Sequence, residues 1–290
     1  MPCAYSLVSM SHPDTCAELL AGHFAAGRHL VVGLDADPAR IPESVAPGAA
    51  PAERVVAFNR AIVTATADLA AAYKPNSAFY EALGTEGFVA LEETVAAIRA
   101  GAPGAAVILD AKRADIGSTN AGYVAAAFER LGADAITVHP WLGGEALAPF
   151  LARREKLVFV LARTSNPGAG ELQDLLAGGL PLYRHVARRV ANDWNGAGNC
   201  GLVVGATYPE ELRAVREDVP AAMPILIPGA GAQGGDVAAV VAANRAAGSD
   251  AYLINASRSI LYASSGEDFA AAAGAAAAAL DAEIRTAVEL

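Results

Sequence analysis

The sequence predicts an α/β fold, a single (β/α)8 TIM barrel with an N-terminal helical extension. Three observations predict it. Short, wholly apolar runs recur eight times along the chain, with helical patterns between them. Parallel strands buried on both faces read as such runs, and eight βα units in succession make the barrel. The chain has 290 residues without a linker or a change of composition, and a barrel of this kind occupies roughly 250 residues as one domain. Polar residues gather directly after the apolar runs, at the barrel end where active sites are built. The organisation expected is one barrel domain over residues 1–290, with residues 1–29 as a helical extension packed on it. A doubly wound open sheet is the alternative, and it too would hold its site at the strand C-termini.

A helix over Asp14–Ala26 precedes the first strand, Leu30–Leu34, which ends in Asp35 and Asp37. A Pro-rich connection, Pro38–Pro51, leads to a helix whose Val55, Phe58, Ile62 and Leu69 fit a helical period. The second strand, near Ala71–Lys74, runs into KPNSAFYE, and Phe88, Leu91, Val95 and Ile98 mark the next helix. The third strand spans 105–112 and is followed by a helix over Thr119–Leu131. The fourth, Ala135–Val138, ends in His139-Pro140 before a short helix, Gly144–Leu151. The fifth, Leu157–Leu161, ends in ARTSNPGAG, and its connection to a helix over Leu182–Trp194 is long enough to read as functional or mobile. Strands six to eight are Gly201–Val204, Ile225–Ile227 and Ala251–Ile254, the last two followed by PGAGAQGGD and NASRSI. The Ala-rich tail from Phe269 reads as a final helix, because Ala is the best helix former and Leu280, Ile284 and Val288 recur every four residues.

Hydrophobic residues make up 54% of the chain and charged ones 18%, which implies a sizeable core. A net charge of −10 argues against a general nucleic-acid binder, which needs a basic face. It leaves room for a small anionic ligand in one locally positive pocket. Cys3, Cys16 and Cys200 have no metal-like spacing and are too few for a disulfide framework, which fits a reducing, cytoplasmic setting. No apolar run reaches the ~18–20 residues of a membrane span, and the N-terminus lacks the basic-then-apolar order of a signal segment. Trp141 and Trp194 read as packing residues, and His139 before Pro140 as a packing or loop-locking residue.

The chemistry concentrates in VILDAKRADIGST, Val107 to Thr119. In a regular strand Asp110 and Lys112 share a face with only Ala111 between them, and Asp115 lies in the turn beyond. Two carboxylates flanking one ammonium at the end of an apolar strand are partly desolvated. Removing one partner of such a pair costs ~3–5 kcal/mol, so the array is rarely kept for stability alone. Asp35, Lys74, Ser165, Gln233 and Arg258 also follow strands. The Gly-rich stretches after strands seven and eight occupy the usual phosphate site of a barrel, with Arg258 suited to a bidentate contact and Gln233 to a further donor.

These motifs resemble the orotidine 5′-monophosphate decarboxylase family of pyrimidine synthesis. DAKRADIGST is similar to its DxKxxD(I) signature, and KPNSAFYE and SNPGA are similar to its longer-chain bacterial (type 2) branch, over nearly the whole stretch from Gly33 to Ile260. The resemblance implies a cofactor-free, metal-free barrel enzyme working as a homodimer on a nucleotide. It implies a charged array of Lys74, Asp110, Lys112 and Asp115, with Asp115 reaching into the partner's site. Asp35, and Thr119 from the partner, would contact the ribose. Ile116 would join the substrate-binding set, Ser165 would bind the pyrimidine edge, and Gln233 and Arg258 the phosphate. Where the family often has Gly-Arg-Ser, this chain has Ser257-Arg258-Ser259, which weakens the carry-over for position 257 alone.

The residue types suit that reaction. Losing CO2 from C6 of the pyrimidine leaves an electron pair there with no adjacent group to delocalise it. A fixed ammonium stabilises that charge and can then deliver the proton, the role expected of Lys112. Neighbouring carboxylates keep it protonated and aimed, and Lys74 balances them. Two other readings stand beside this one: a Mg²⁺-dependent sugar-phosphate decarboxylase or epimerase on the same barrel, and a barrel that binds a nucleotide without chemistry. A phosphosugar isomerase would want a Glu or His base at a strand end, where His139 is the sole histidine.

Overall fold

A computed structural model of the chain describes residues 13–229 and 235–289. Each apolar run becomes a strand, in the order β1 (Leu30–Gly33), β2 (Ala72–Lys74), β3 (Ala106–Arg113), β4 (Ala135–Val138) and β5 (Leu157–Arg163). Next come a small ribbon of β6 (Leu176–Ala177) and β7 (Leu180–Pro181), then β8 (Cys200–Val204), β9 (Ile225–Pro228) and β10 (Tyr252–Ala256). Apart from the antiparallel ribbon, neighbouring strands pair in parallel and close into a barrel in the order β1-β10-β9-β8-β5-β4-β3-β2. The open-sheet alternative is thereby excluded.

The helices are α1 (Cys16–Ala25), α2 (Pro51–Thr66), α3 (Ser77–Glu81), α4 (Thr85–Gly101), α5 (Gly117–Val124), α6 (Gly143–Leu151), α7 (Gly170–Gln173), α8 (Leu182–Arg189), α9 (Pro209–Asp218), α10 (Val237–Arg245), α11 (Arg258–Leu261) and α12 (Phe269–Glu289). α5 and α8 run on as π-helical turns over Ala125–Arg130 and Val190–Trp194.

Alternation along the strands sorts the core into two layers. Val31, Ala72, Ile108, Ala135, Phe159, Val203 and Leu253 fill the barrel interior, with Gly201 of β8 leaving room for the Phe159 ring, 2.7 Å from where a Cβ would lie. Leu30, Val32, Val107 and Ile136 point outward to the helices. α1 begins in a capping box, Thr15 Oγ1 accepting from the Glu18 amide and Glu18 from the Thr15 amide. Its Cys16 and Leu20 pack on the interior layer beside Leu157 and Ala106, the first residues of β5 and β3, so α1 covers the N-terminal mouth. The opposite mouth is left for the strand-end loops. At the other terminus α12 lies along α2, with Ala273, Ala277 and Ile284 buried.

Three sequence expectations change. Trp141 is 68% exposed and so is not a packing residue of this chain, whereas Trp194 packs on the core as expected; Phe88 lies on α4 as read from the sequence, though it is 56% exposed. The connection after β5 carries structure of its own, in a 3₁₀ turn at Pro167–Ala169, α7 and the ribbon. Strand bounds shift by one or two residues, most at β5 and β10.

Candidate active site

The site is organised by a break in the β3–β4 ladder. Ile108 pairs with Ala135 and Leu109 with Ile136, but the next pair is Arg113 with Val138. Asp110, Ala111 and Lys112 therefore stand opposite Thr137 alone. A bulge of this kind re-aims side chains at a barrel rim. Lys112 has φ +45°, in the left-handed region that non-glycine residues seldom occupy, which costs on the order of 1–3 kcal/mol unless the surroundings enforce it. Two contacts do so: the Lys112 amide donates to Thr137 Oγ1 at 3.0 Å, and the Asp110 amide donates to the Pro75 carbonyl at 2.9 Å. Asp110 and Lys112 do meet, as regular alternation predicts, but through a bulged backbone.

Both oxygens of Asp110 are occupied. Lys74 Nζ donates to Oδ2 at 2.7 Å, Lys112 Nζ to Oδ1 at 2.6 Å, and Thr137 Oγ1 to Oδ1 at 2.8 Å. The side chains of Lys74 and Asp110 are 4% and 10% exposed, that of Lys112 48%, so Lys112 is the member presented to the cavity. Burial pushes the Asp110 carboxyl upward, but Lys74 and Lys112 outweigh it and hold the group well below the usual range. Burial likewise pulls the Lys74 ammonium down, and Asp110 and Asp35 more than restore it, leaving its pKa raised. The Lys74–Asp110 pair is thus built to stay ionised.

The array lines a cavity of roughly 540 Å³, to which Leu161, Val203 and Leu226 add apolar surface from β5, β8 and β9. That volume suits a nucleotide-sized ligand. Asp35, Ser165 and Arg258 line it too, so these three expected binding residues share the mouth with the charged array. Asp35 has a buried Oδ1 without a hydrogen-bond partner among the described residues. The Ser165 loop sits directly on Gly205, where a Cβ would lie 2.7 Å from that of Ser165. The same loop is tied down by Arg163, which pairs with Asp174 at 2.9 Å and stacks over Tyr208. Ser257, the departure from the family pattern, is accommodated by Gly33: a Cβ there would lie 1.9 Å from Ser257 Oγ. Gln233 falls outside the described residues.

Asp115, Ile116 and Thr119 are not among the residues lining this cavity. Asp115 is held in its turn, accepting from the Ile116 amide at 2.6 Å and donating through its own amide to Asn120 Oδ1 at 2.8 Å. Ile116 is 59% exposed. Within one chain, then, Lys112 contacts one carboxylate and not the two expected from the motif. His139 accepts from the Trp141 amide at 3.3 Å, the loop-locking role read from the sequence.

Sequence reasoning missed Thr137, Asn76, Gln173 and Asn255, which all line the cavity. Thr137 did leave a signal, as the one hydroxyl in the otherwise apolar run AITV.

Residues 28–273 match the model of the family described as Orotidine 5′-phosphate decarboxylase / HUMPS. An orotidine 5′-phosphate decarboxylase of Herpetosiphon aurantiacus is 53% identical over 245 residues, covering 84% of this chain and 88% of that protein. One from an Azoarcus species is 53% identical over 248 residues, covering 86% and 90%. Among solved structures, the Leishmania donovani OMP decarboxylase superposes with a TM-score of 0.79 at 40% identity, covering 94% of this chain and 98% of that one. With its family model, relatives and barrel in agreement, the chain belongs to the orotidine 5′-phosphate decarboxylase / HUMPS family.

Proposed function

We propose that this chain decarboxylates orotidine 5′-monophosphate to uridine 5′-monophosphate, a step of pyrimidine biosynthesis, without a cofactor. The observation that carries this reading is the Lys74–Asp110–Lys112 array, which presents one ammonium to a cavity lined in part by Leu161, Val203 and Leu226. With the substrate carboxylate at the array, the C6–carboxylate bond breaks and its electron pair stays on C6. Lys112 Nζ stabilises that charge, transfers a proton to C6 and is reprotonated from solvent. Asp110 orients Lys112, and Lys74 offsets the buried charge of Asp110. The fixed dipoles need no rearrangement as charge develops.

Asp35 is assigned to the ribose hydroxyls, Ser165 to the pyrimidine edge, and Gln233 and Arg258 to the phosphate. Contacts this far from C6 can drive loop closure and convert remote binding energy into transition-state stabilisation. Asp115, Ile116 and Thr119 are assigned to the site of a second subunit in a homodimer. Their position outside the cavity of their own chain supports this. So do exposed Phe79, Ile116, Trp141 and Leu142, which follow the adjacent strands β2, β3 and β4. Free, buried Cys16 and Cys200 support a reducing, cytoplasmic setting, and no helix among the described residues is long and apolar enough to cross a membrane.

The Mg²⁺-dependent reading needs several carboxylate oxygens open to a cation; among the described residues lining the cavity the acids are Asp35 and Asp110, and both Asp110 oxygens already accept from ammonium groups. The deciding experiment follows loss of orotidine 5′-monophosphate by absorbance in EDTA, with Lys112→Ala alongside. Turnover by the native protein that falls by at least ~10³-fold in a folded Lys112→Ala variant is the expected result. No turnover by folded native protein that still binds uridine monophosphate overturns the proposal. Turnover restored only by added Mg²⁺ overturns it in favour of the metal-dependent chemistry.

A further inference from the structure

Thr137 is 1% exposed, at the point of β4 where one residue faces three of β3. Its hydroxyl is engaged on both sides, accepting from the Lys112 amide and donating to Asp110 Oδ1. A hydroxyl carries one proton, and an ionised carboxylate can only accept. The direction of both bonds is therefore fixed by chemistry: the amide takes a lone pair and the proton points at Asp110. We infer that Thr137 is the positioning residue of this site, one hydroxyl that fixes both the backbone from which the Lys112 side chain springs and the carboxylate that aims its ammonium. The inference rests on the decarboxylase reading and deepens it.

The geometry separates this role from packing. The Lys112 side chain is half exposed on a flexible stem, and Asp110 Oδ1 is its one polar anchor among the described residues. The position of its Nζ is then set by two things, the origin and direction of the stem and the orientation of the Asp110 carboxylate. Thr137 holds both. The stem begins at a left-handed backbone (φ +45°) whose amide has no ladder partner, because the bulge has removed it. Thr137 Oγ1 supplies the missing acceptor. The same hydroxyl shares Oδ1 with Lys112 while Lys74 holds Oδ2, so the carboxylate cannot swing toward one lysine without losing a bond on the other side. A purely apolar residue of the same shape would fill the space and provide neither contact.

Valine keeps the shape of Thr137 without the hydroxyl, and serine keeps the hydroxyl without the methyl. Because misplacement of a reacting group by about 1 Å can cost ~10²-fold, Thr137→Val is expected to lower kcat about 10- to 100-fold. KM and the affinity for uridine monophosphate, measured by calorimetry, should stay within about threefold, since the hydroxyl touches neither ribose nor phosphate residues. Thr137→Ser is expected to keep kcat within about threefold of the native value.

Native kcat by Thr137→Val overturns the inference, as does a serine variant no better than valine. A parallel rise in KM, or a loss of folded protein by circular dichroism that accounts for the loss of activity, assigns Thr137 to packing and also overturns it. Should valine not fold, Thr137→Cys keeps the volume with a weak donor and acceptor, and must show the same kcat loss at unchanged KM for the inference to stand. Native protein that folds but does not decarboxylate defeats the parent reading instead, so the two failures are distinguishable.

Discussion

Asp110 is where stability and chemistry meet. It is the sole carboxylate between two ammonium groups, one of them buried, and its removal leaves Lys74 in the barrel interior with Asp35 as its remaining counter-charge. Breaking a buried pair in this way costs about 3–5 kcal/mol, the loss expected for Asp110→Asn in a denaturant titration. The pH dependence of that loss follows from the direction of the two shifts. Asp110 is lowered, so its contribution is present above the unfolded carboxylate value of ~3.9 and is lost as pH falls through the folded value. Lys74 is raised, so its contribution is full below ~10.4 and is lost as pH rises through its folded value. The stability difference between native protein and Asp110→Asn should therefore be flat from about pH 5 to 9 and shrink below ~4 and above ~10.4. A difference that varies across the neutral range would show that the Lys74–Asp110 pair is not held ionised.

At the scale of elements, the rim of the barrel works through close approach of backbone segments. Gly33 at the end of β1 leaves the space that Ser257 fills at the start of α11, which carries Arg258 to the cavity. Gly33→Ala would place a methyl against Ser257 Oγ, an overpacking that costs about 1–3 kcal/mol. It should also displace Arg258 and raise KM. Ser257→Gly removes the two nearest atoms, at 1.9 and 2.8 Å, leaving the closest contact at 3.3 Å. The double variant Gly33→Ala/Ser257→Gly should thus recover most of the lost stability and KM. Additive effects of the two substitutions in a double-mutant cycle would rule out this coupling. The close approach of α12 to α2 follows the same logic, with Gly274 placed where a Cβ would sit 2.9 Å from the Ala65 carbonyl oxygen.

At the scale of the whole molecule, the array of one chain holds Lys74, Asp110 and Lys112 while Asp115 is not among the residues lining the cavity. If two subunits share each site, Lys112→Ala and Asp115→Ala are defective for complementary reasons. In a mixed dimer, the site that takes its lysine from the second variant and its aspartate from the first has every group in place. Mixing the two inactive proteins with exchange of subunits should restore about a quarter of native activity, half the dimers being mixed and half their sites intact. No recovery, with mixed dimers demonstrated by mass, would place Asp115 in its own subunit's site.

The barrel was legible because its physics is local. Strands buried on both faces must be apolar runs, helices between them must carry a helical period, and the residues that follow each strand must lie at one end. Asp35, Lys74, Asp110, Lys112, Ser165 and Arg258 could be gathered at one mouth from sequence order alone, before any distance was known. The tertiary structure decided what depends on register and on neighbours distant in the chain. A shift in pairing puts three residues opposite Thr137, which turned a buried strand threonine into the hinge of the charged array. No periodicity in the sequence encodes that shift, because a bulge leaves the composition of both strands unchanged. The exposure of Trp141 and Phe88 is likewise set by which surfaces the folded chain leaves uncovered, so a pattern of apolar residues could mark the core without saying where the core stops.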